Sequence, residues 1–161
     1  MPKQDFNINT KSGAAGDTYG INITNSQRNS YVAADDSIAY GVAVQKAGDR
    51  KCKAGILSTG EITGISMRSN NLEALNRPSD GTVKFRKGDV LSVMEGGYIQ
   101  VIAQEAVAQD GTVYVDSLTG LFYATKADGR VAAINCKYYL SASAGDIVPV
   151  YIEVYVTPPK P

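Results

Sequence analysis

Apolar and polar residues alternate with a period of two along much of this chain, and hardly anywhere with the 3.6-residue period of a helix. In SASAGDIVPVYIEVYV, residues 141–156, one parity holds Val148, Val150, Ile152, Val154 and Val156, and the other Pro149, Tyr151, Glu153 and Tyr155. The first row predicts a strand face turned to a core. Ile38, Tyr40, Val42 and Val44 form a second such row, opposite Ala39, Gly41, Ala43 and Gln45. A third, over residues 131–140, sets Ile134, Cys136, Tyr138 and Leu140 against Ala133, Asn135, Lys137 and Tyr139.

Turn residues punctuate these rows. In FRKGDVLSVMEGGYIQV, residues 85–101, Gly88-Asp89 opens a strand at Val90, and Glu95-Gly96-Gly97 predicts a hairpin turn before a second strand at Tyr98. Asp110-Gly111 precedes a strand over 112–115, residues 121–123 follow a further turn, and Asp128-Gly129 leads into Val131. Residues 61–68, EITGISMR, read as a strand in which Gly64 marks a bulge or a close backbone approach. Residues 70–77, NNLEALNR, are the one helix candidate, capped by Asn70 or Asn71 and stopped by Pro78. The expectation is an all-β fold: a compact β-barrel or β-sandwich of about ten short strands, with at most one short helix.

Residues 1–30 differ. They are rich in Asn, Ser, Thr and Gly and carry scattered apolar residues, Phe6, Ile8, Tyr19, Ile21 and Ile23. Such a stretch buries too little surface to fold alone and becomes a strand only against something else. It reads either as a frayed terminus or as an extended polar N-terminal arm that orders against a neighbouring subunit. Residues 31–161 then form the β-rich domain.

Composition narrows the chemistry. Sixteen basic residues balance sixteen acidic ones, which argues against a general affinity for nucleic acid or for acidic membranes. No apolar run approaches the ~18 residues of a membrane span, and MPKQDFNINT lacks the apolar segment of a signal peptide. The expectation is synthesis in a cytoplasm, where Cys52 and Cys136 stay free thiols. With no histidine, the usual activator of a Ser or Cys nucleophile is missing. Two isolated cysteines do not make a zinc site, and Asp35-Asp36 reads as a solvated turn. Neither GxxxxGK[ST] nor a GxGxxG between strand and helix occurs. The reading is no catalytic residue, no metal and no cofactor.

What remains is surface. Tyr139, Tyr151, Glu153 and Tyr155 lie on the parity opposite the aliphatic rows. Tyrosine combines large contact area with a polar tip, so this sheet edge is a candidate interface, unless a second sheet of the same subunit covers it.

Taken in order, the segments resemble the capsid cement, or decoration, proteins of tailed bacteriophages. FRKGDVLSVMEGGYIQV is similar to that family's F-x-x-G-D-x-V-x-V-x-x-x-G-x-I-x-V core. GTVYVDSLTGLF, residues 111–122, is similar to its V-Y-V and T-G-x-F hairpin; SASAGDIVPVYIEV to its terminal strand; FNINTKSGAAGDTYG to its polar arm. IAYGVAV and EITGISM fall in the expected order, whereas residues 25–35 and 70–77 match no part of the pattern. The resemblance implies a non-enzymatic structural protein made in the bacterial cytoplasm and carried on the outside of the head. It implies contact with the major capsid protein and with itself, as a homotrimer ahead of a homodimer, and with neither nucleic acid nor membrane. Phe6, Ile8, Tyr19, Ile21 and Ile23 of the arm would contact capsid or neighbour, and Tyr139, Tyr151, Glu153 and Tyr155 would form an oligomer or capsid interface. The alternative is a virion surface module binding carbohydrate or host surface through Tyr138, Tyr139, Tyr151 or Tyr155.

Overall fold

The computed structural model describes residues 13–20, 26–69 and 83–153, and these contain strands and turns but no helix. The helix expected over 70–77 lies outside the described residues. In chain order the strands are β1 (Gln27–Ala33), β2 (Ala43–Lys46), β3 (Lys51–Ala54), β4 (Gly64–Ser66), β5 (Val90–Ile102), β6 (Thr112–Asp116), β7 (Phe122–Tyr123), β8 (Arg130–Tyr138) and β9 (Ile147–Ile152). The fold is all-β, as the alternation predicts. Strand β1 begins inside the segment expected to be the arm.

Five strands close a barrel in the order β1-β3-β2-β4-β5, with β1 returning to pair with β5. A second sheet grows from the far half of β5, in the order β5-β9-β8-β6-β7. Strand β5 is therefore shared. Its residues 90–96 pair with β1, and its residues 97–102 pair with β9.

This corrects the hairpin turn expected at Glu95-Gly96-Gly97: a single strand runs straight through it. The glycines build a bend instead. Gly97 has φ 116°, a conformation glycine enters without a Cβ penalty. The register against β1 shifts between Gln27 and Arg28, the mark of a bulge, which increases local twist. A bend there lets one strand leave the barrel wall and enter the second sheet. Locally, two glycines suit a turn equally well; the partners β1, β4 and β9 decide the outcome.

Alternation sorts the side chains into two cores. Inside the barrel lie Ala33, Ile38, Val42, Val44, Cys52, Ala54, Phe85, Leu91 and Val93. Ala43, Ile65 and Met94, paired across β2, β4 and β5, point outward from the barrel. They meet the inner face of the second sheet, including Ile99, Val101, Val113, Val115, Cys136, Tyr138, Val148, Val150 and Ile152. The row Ile38, Val42, Val44 thus faces one core although only residues 43–46 are strand. Burial of each such side chain contributes about 1.5–3 kcal/mol. Gly64 meets the expectation of a close approach: a Cβ there would lie 2.3 Å from the carbonyl oxygen of Met94.

In β8 the predicted alternation fails. Ile134 is 57% exposed, while Asn135, Cys136 and Tyr138 are buried. The pairing of β8 with β6 slips between Thr112↔Lys137 and Tyr114↔Ala132, so extra residues bulge out of β8 and invert the parity. Asn135 enters the interior with its amide matched: its side-chain oxygen accepts from Ile62 N–H at 3.2 Å and its Nδ2 donates to Ile62 C=O at 3.0 Å.

The recurring Gly-Asp pair is one turn used repeatedly. At Arg86-Lys87-Gly88-Asp89 and Ser143-Ala144-Gly145-Asp146 the aspartate N–H donates to the carbonyl three residues back, at 2.9 and 3.1 Å. The glycines have φ 92° and 85°, as a type II turn requires at its third position. Ala14-Ala15-Gly16-Asp17 makes the same contact at 3.0 Å.

Candidate functional site

The face of the second sheet turned away from the core carries the candidate site, buried at Gln100 and Pro149, half-buried at Tyr98, Tyr151 and Ile147, and exposed at Ile102. On β5 it presents Tyr98, Gln100 and Ile102; on β9 it presents Tyr151, Pro149 and Ile147. These are cross-strand partners, so aromatic, polar and aliphatic pairs stack in rows across the two strands. From β8 come Lys137, opposite Tyr151, and then Tyr139, whose N–H donates to Pro149 C=O at 2.9 Å.

The tyrosines form one cluster. Tyr98 packs edge-on against Tyr139 at 4.9 Å between ring centroids and tilted against Tyr151 at 4.8 Å. Tyr19 reaches Tyr139 at 6.0 Å. Such pairs contribute about 0.5–1.5 kcal/mol beyond area burial, so the rings hold each other in fixed orientation. Tyr139 keeps 41% of its surface exposed and Ile102 keeps 40%. The result is an aromatic and aliphatic surface on a rigid sheet, with little rotamer freedom left to lose on contact.

Residues 16–19 supply one rim. They run antiparallel to β5 as an added edge strand: Gly16 N–H donates to Gln100 C=O, Gln100 N–H to Asp17 C=O and Tyr19 N–H to Tyr98 C=O. The other side of this segment is also held, since Arg68 N–H donates to Gly16 C=O at 3.0 Å and the Arg68 guanidinium lies 3.8 Å from the Asp17 carboxylate. Gly13 sits over the Gln100 side chain, where a Cβ would meet Nε2 at 2.5 Å. Gln100 is buried by this cover, and among the described residues its Oε1 meets no hydrogen-bond donor.

Of the residues singled out in the sequence, the structure brings Tyr19, Tyr139 and Tyr151 into one cluster. Glu153 follows at the end of β9, exposed, its N–H donating to Asn135 C=O at 2.9 Å. Phe6, Ile8, Ile21, Ile23 and Tyr155 lie outside the described residues. Tyr138, a candidate for a sugar-binding platform, is removed from any surface role: it is 1% exposed and its hydroxyl donates to Tyr123 C=O at 3.0 Å. Tyr98, the ring at the centre of the cluster, was not among the sequence candidates. Its signal is the parity Tyr98, Gln100 and Ile102 opposite Ile99 and Val101, within the strand expected from Tyr98.

Other polar side chains tie loops together. Glu105 accepts from Arg130, Thr125 and the N–H groups of Ala124 and Thr125. The Arg130 guanidinium, then Thr125, hold its carboxyl down at about 2. Arg130 also stacks over the Tyr123 ring at 3.5 Å. Both cysteines are free and buried, one in each core. Burial pushes the Cys136 thiol up to about 12, and burial with the Asp35 charge pushes Cys52 up to about 11. Neither forms a thiolate near neutral pH without the fold opening.

Similar proteins were found by family and by structure. Residues 1–153 match the phage cement family, described as structural cement protein (E217 gp24/Pam3 gp6). Comparison with curated protein sequences gives no match. Among solved structures, a chain of the capsid of Myoviridae phage XM1 is similar with a TM-score of 0.68 at 16% identity, over 91% of this chain and 94% of that one. The head fibre gp8.5 N base of bacteriophage phi29 gives a TM-score of 0.49 at 15% identity, over 80% and 95%. At 16% identity the first likeness is one of fold, and the second falls below the level at which a shared fold follows. The family match spans both the barrel and the second sheet, and on it the chain belongs to the structural cement proteins of bacteriophages.

Proposed function

We propose that this cement protein sits on the outside of the phage head as an oligomer and ties neighbouring major capsid subunits together by adhesion alone, without catalysis. It is made in the bacterial cytoplasm and joins the head there. The observation that carries this reading is the tyrosine cluster, with Tyr139 exposed and Tyr19, Tyr98 and Tyr151 half-buried around it, set on the second sheet and continued by exposed Ile102 and half-buried Ile147. A face of this kind loses little side-chain entropy when covered, and desolvated aromatics dominate many protein interfaces. The N-terminal arm, with Phe6, Ile8, Ile21 and Ile23 as anchors, supplies a second grip. Several modest contacts, each near the ~800 Å² per partner of ordinary interfaces, reinforce one another through effective concentration when one oligomer spans several capsid subunits. A protein that binds only the mature shell stabilises that shell by its differential affinity.

The test is decoration of purified heads that lack the protein. Added wild-type chain co-sediments with the heads and raises their rupture temperature. Tyr98→Ser with Tyr139→Ser, folded as judged by circular dichroism, binds at least about tenfold more weakly, the loss expected when two anchors at an interface centre are truncated. Undiminished decoration by that double variant removes the tyrosine face from the account. Arm truncations need a boundary set by the structure: removing residues 1–12 tests the arm, whereas removing 1–24 also strips the edge strand from β5.

A further inference from the structure

The barrel is closed unevenly. Among the described residues, strands β1 and β3 are its only parallel neighbours, and their pairing covers two rungs, Val32↔Lys51 and Ala33↔Cys52. Toward its beginning β1 continues as Gln27, Arg28, Asn29, Ser30 and Tyr31, still paired with β5 on one side. On the other side β3 has not begun, because the chain is turning through residues 47–50, with Gly48 at φ 122° and Arg50 at φ 52°. A groove of about 470 Å³ opens there, lined by Asn29, Ser30, Tyr31, Lys46, Gly48, Asp49 and Arg50.

The ladder fixes which backbone groups face this groove. Ala33 N–H donates to Asp89 C=O on the β5 side, and Val32 N–H donates to Arg50 C=O on the β3 side. With the strand's period of two, Arg28 and Ser30 aim their N–H and C=O the same way as Val32, into the groove. Among the described residues no backbone partner meets them there, and residues 27–30 are exposed. Five open residues at about 3.3 Å each give roughly 16 Å of unpaired edge, enough for a short added strand.

The rim is basic. Lys46 and Arg50 line the groove and are exposed, with exposed Arg28 and Lys51 in the adjoining strands, against the carboxylate of Asp49 in the lining. No described ion pair engages Arg28, Lys46 or Arg50. Glu95, the other nearby acid, is already occupied by Asn29 Nδ2 and the Tyr31 hydroxyl. Like-charged rims keep two copies of this edge from pairing with each other, and the same charges select an acidic occupant. The chain's own first twelve residues offer Lys3 and Lys11 against Asp5, so they do not fit that charge.

We propose that the free edge of β1 at residues 27–31 accepts an extended acidic segment of a protein partner as an added strand, with its main chain on Arg28 and Ser30 and its carboxylates on Lys46 and Arg50. This deepens the cement reading by naming the chemistry of one partner segment, and its test needs no phage head. The probe is a fluorescent eight-residue peptide alternating Glu and Val, with the Lys/Val peptide as control. The full-length protein is expected to bind the acidic peptide with a salt-sensitive affinity, and amide exchange at Arg28 and Ser30 is expected to slow in the complex. Lys46→Glu with Arg50→Glu should weaken binding by about tenfold or more at low salt while the melting temperature holds. Ser30→Pro, which removes an edge donor where sheets tolerate proline, should abolish the slowed exchange. Failure of the acidic peptide to bind, or equal binding of the basic one, overturns the proposal. So does binding of the acidic peptide, or of a sulfated polysaccharide in its place, without protection of the Arg28 and Ser30 amides, since that describes a general anion surface. Peptide binding by a protein that does not decorate heads would leave this edge standing and sink the cement reading alone.

Discussion

Single residues in this fold act mostly as pins. Asn135 is the clearest, since it satisfies both backbone groups of Ile62 from inside the protein. Asn135→Ala leaves a buried N–H and C=O without partners, and urea denaturation should show a loss of about 1–3 kcal/mol. Glu105 pins the chain after β5 to β8 through Arg130 and Thr125. Its folded pKa, about 2, lies below the ordinary 4.5, so its contribution is full above that ordinary value and is lost as pH falls toward 2. The melting temperature of the wild type should therefore fall over that acid range. Glu105→Gln should melt lower at neutral pH and lose less on acidification; parallel pH profiles for the two proteins would reject the assignment. Neither pin was legible in the sequence. Asn135 lies on the row opposite Ile134, Cys136 and Tyr138, with no signal that it turns inward, and Glu105 meets Arg130 only because β6, β7 and β8 bring two distant loops together. Tyr139 and Tyr151 were legible, because period-two parity alone separates them from the aliphatic rows.

At the scale of elements, the sequence shows where strands begin more clearly than what they pair with. Gly88-Asp89 and Gly145-Asp146 announce β5 and β9 because the turn is local and needs glycine at one position. Gly96-Gly97 announced a turn and made a bend, because strand continuation there depends on β1 and β9, which lie far off in sequence. Gly97→Val tests that role. A β-branched side chain at φ 116° is strained by about 1–3 kcal/mol, so the variant should lose stability of that order in chemical denaturation. A variant as stable as wild type would mean that the bend is set elsewhere. The edge strand at 16–19 is the element least visible in advance: its residues read as part of a polar arm, yet Gly16 bonds to both Gln100 and Arg68. A Cβ on Gly16 would meet the Arg68 nitrogen at 2.7 Å. Gly16→Ala should accelerate amide exchange at Gly16-bonded positions and unseat Tyr19 from Tyr139, while leaving the barrel amides protected.

The whole molecule has two cores and one shared strand, and that arrangement fixes how it must come apart. Leu91 and Val93 of β5 face the barrel interior, while Met94, Ile99 and Val101 of the same strand face the core beneath the second sheet. Ala43 and Ile65 on the barrel's outer wall complete that second core. Opening the barrel withdraws β5 and this wall from the second sheet, so neither core survives the loss of the other. Each core holds a buried thiol, Cys52 in the barrel and Cys136 under the second sheet. Burial suppresses the thiolate at both, so a thiol reagent reports only molecules that have opened. Labelling of the two cysteines across a urea series should therefore give one common free energy of opening, equal to that of global unfolding. Modification of Cys52 at a urea concentration that leaves Cys136 untouched would show that the barrel opens as a unit of its own. The barrel, with its β1 edge, would then be the weaker of the two units, and the tyrosine cluster on the second sheet would outlast it.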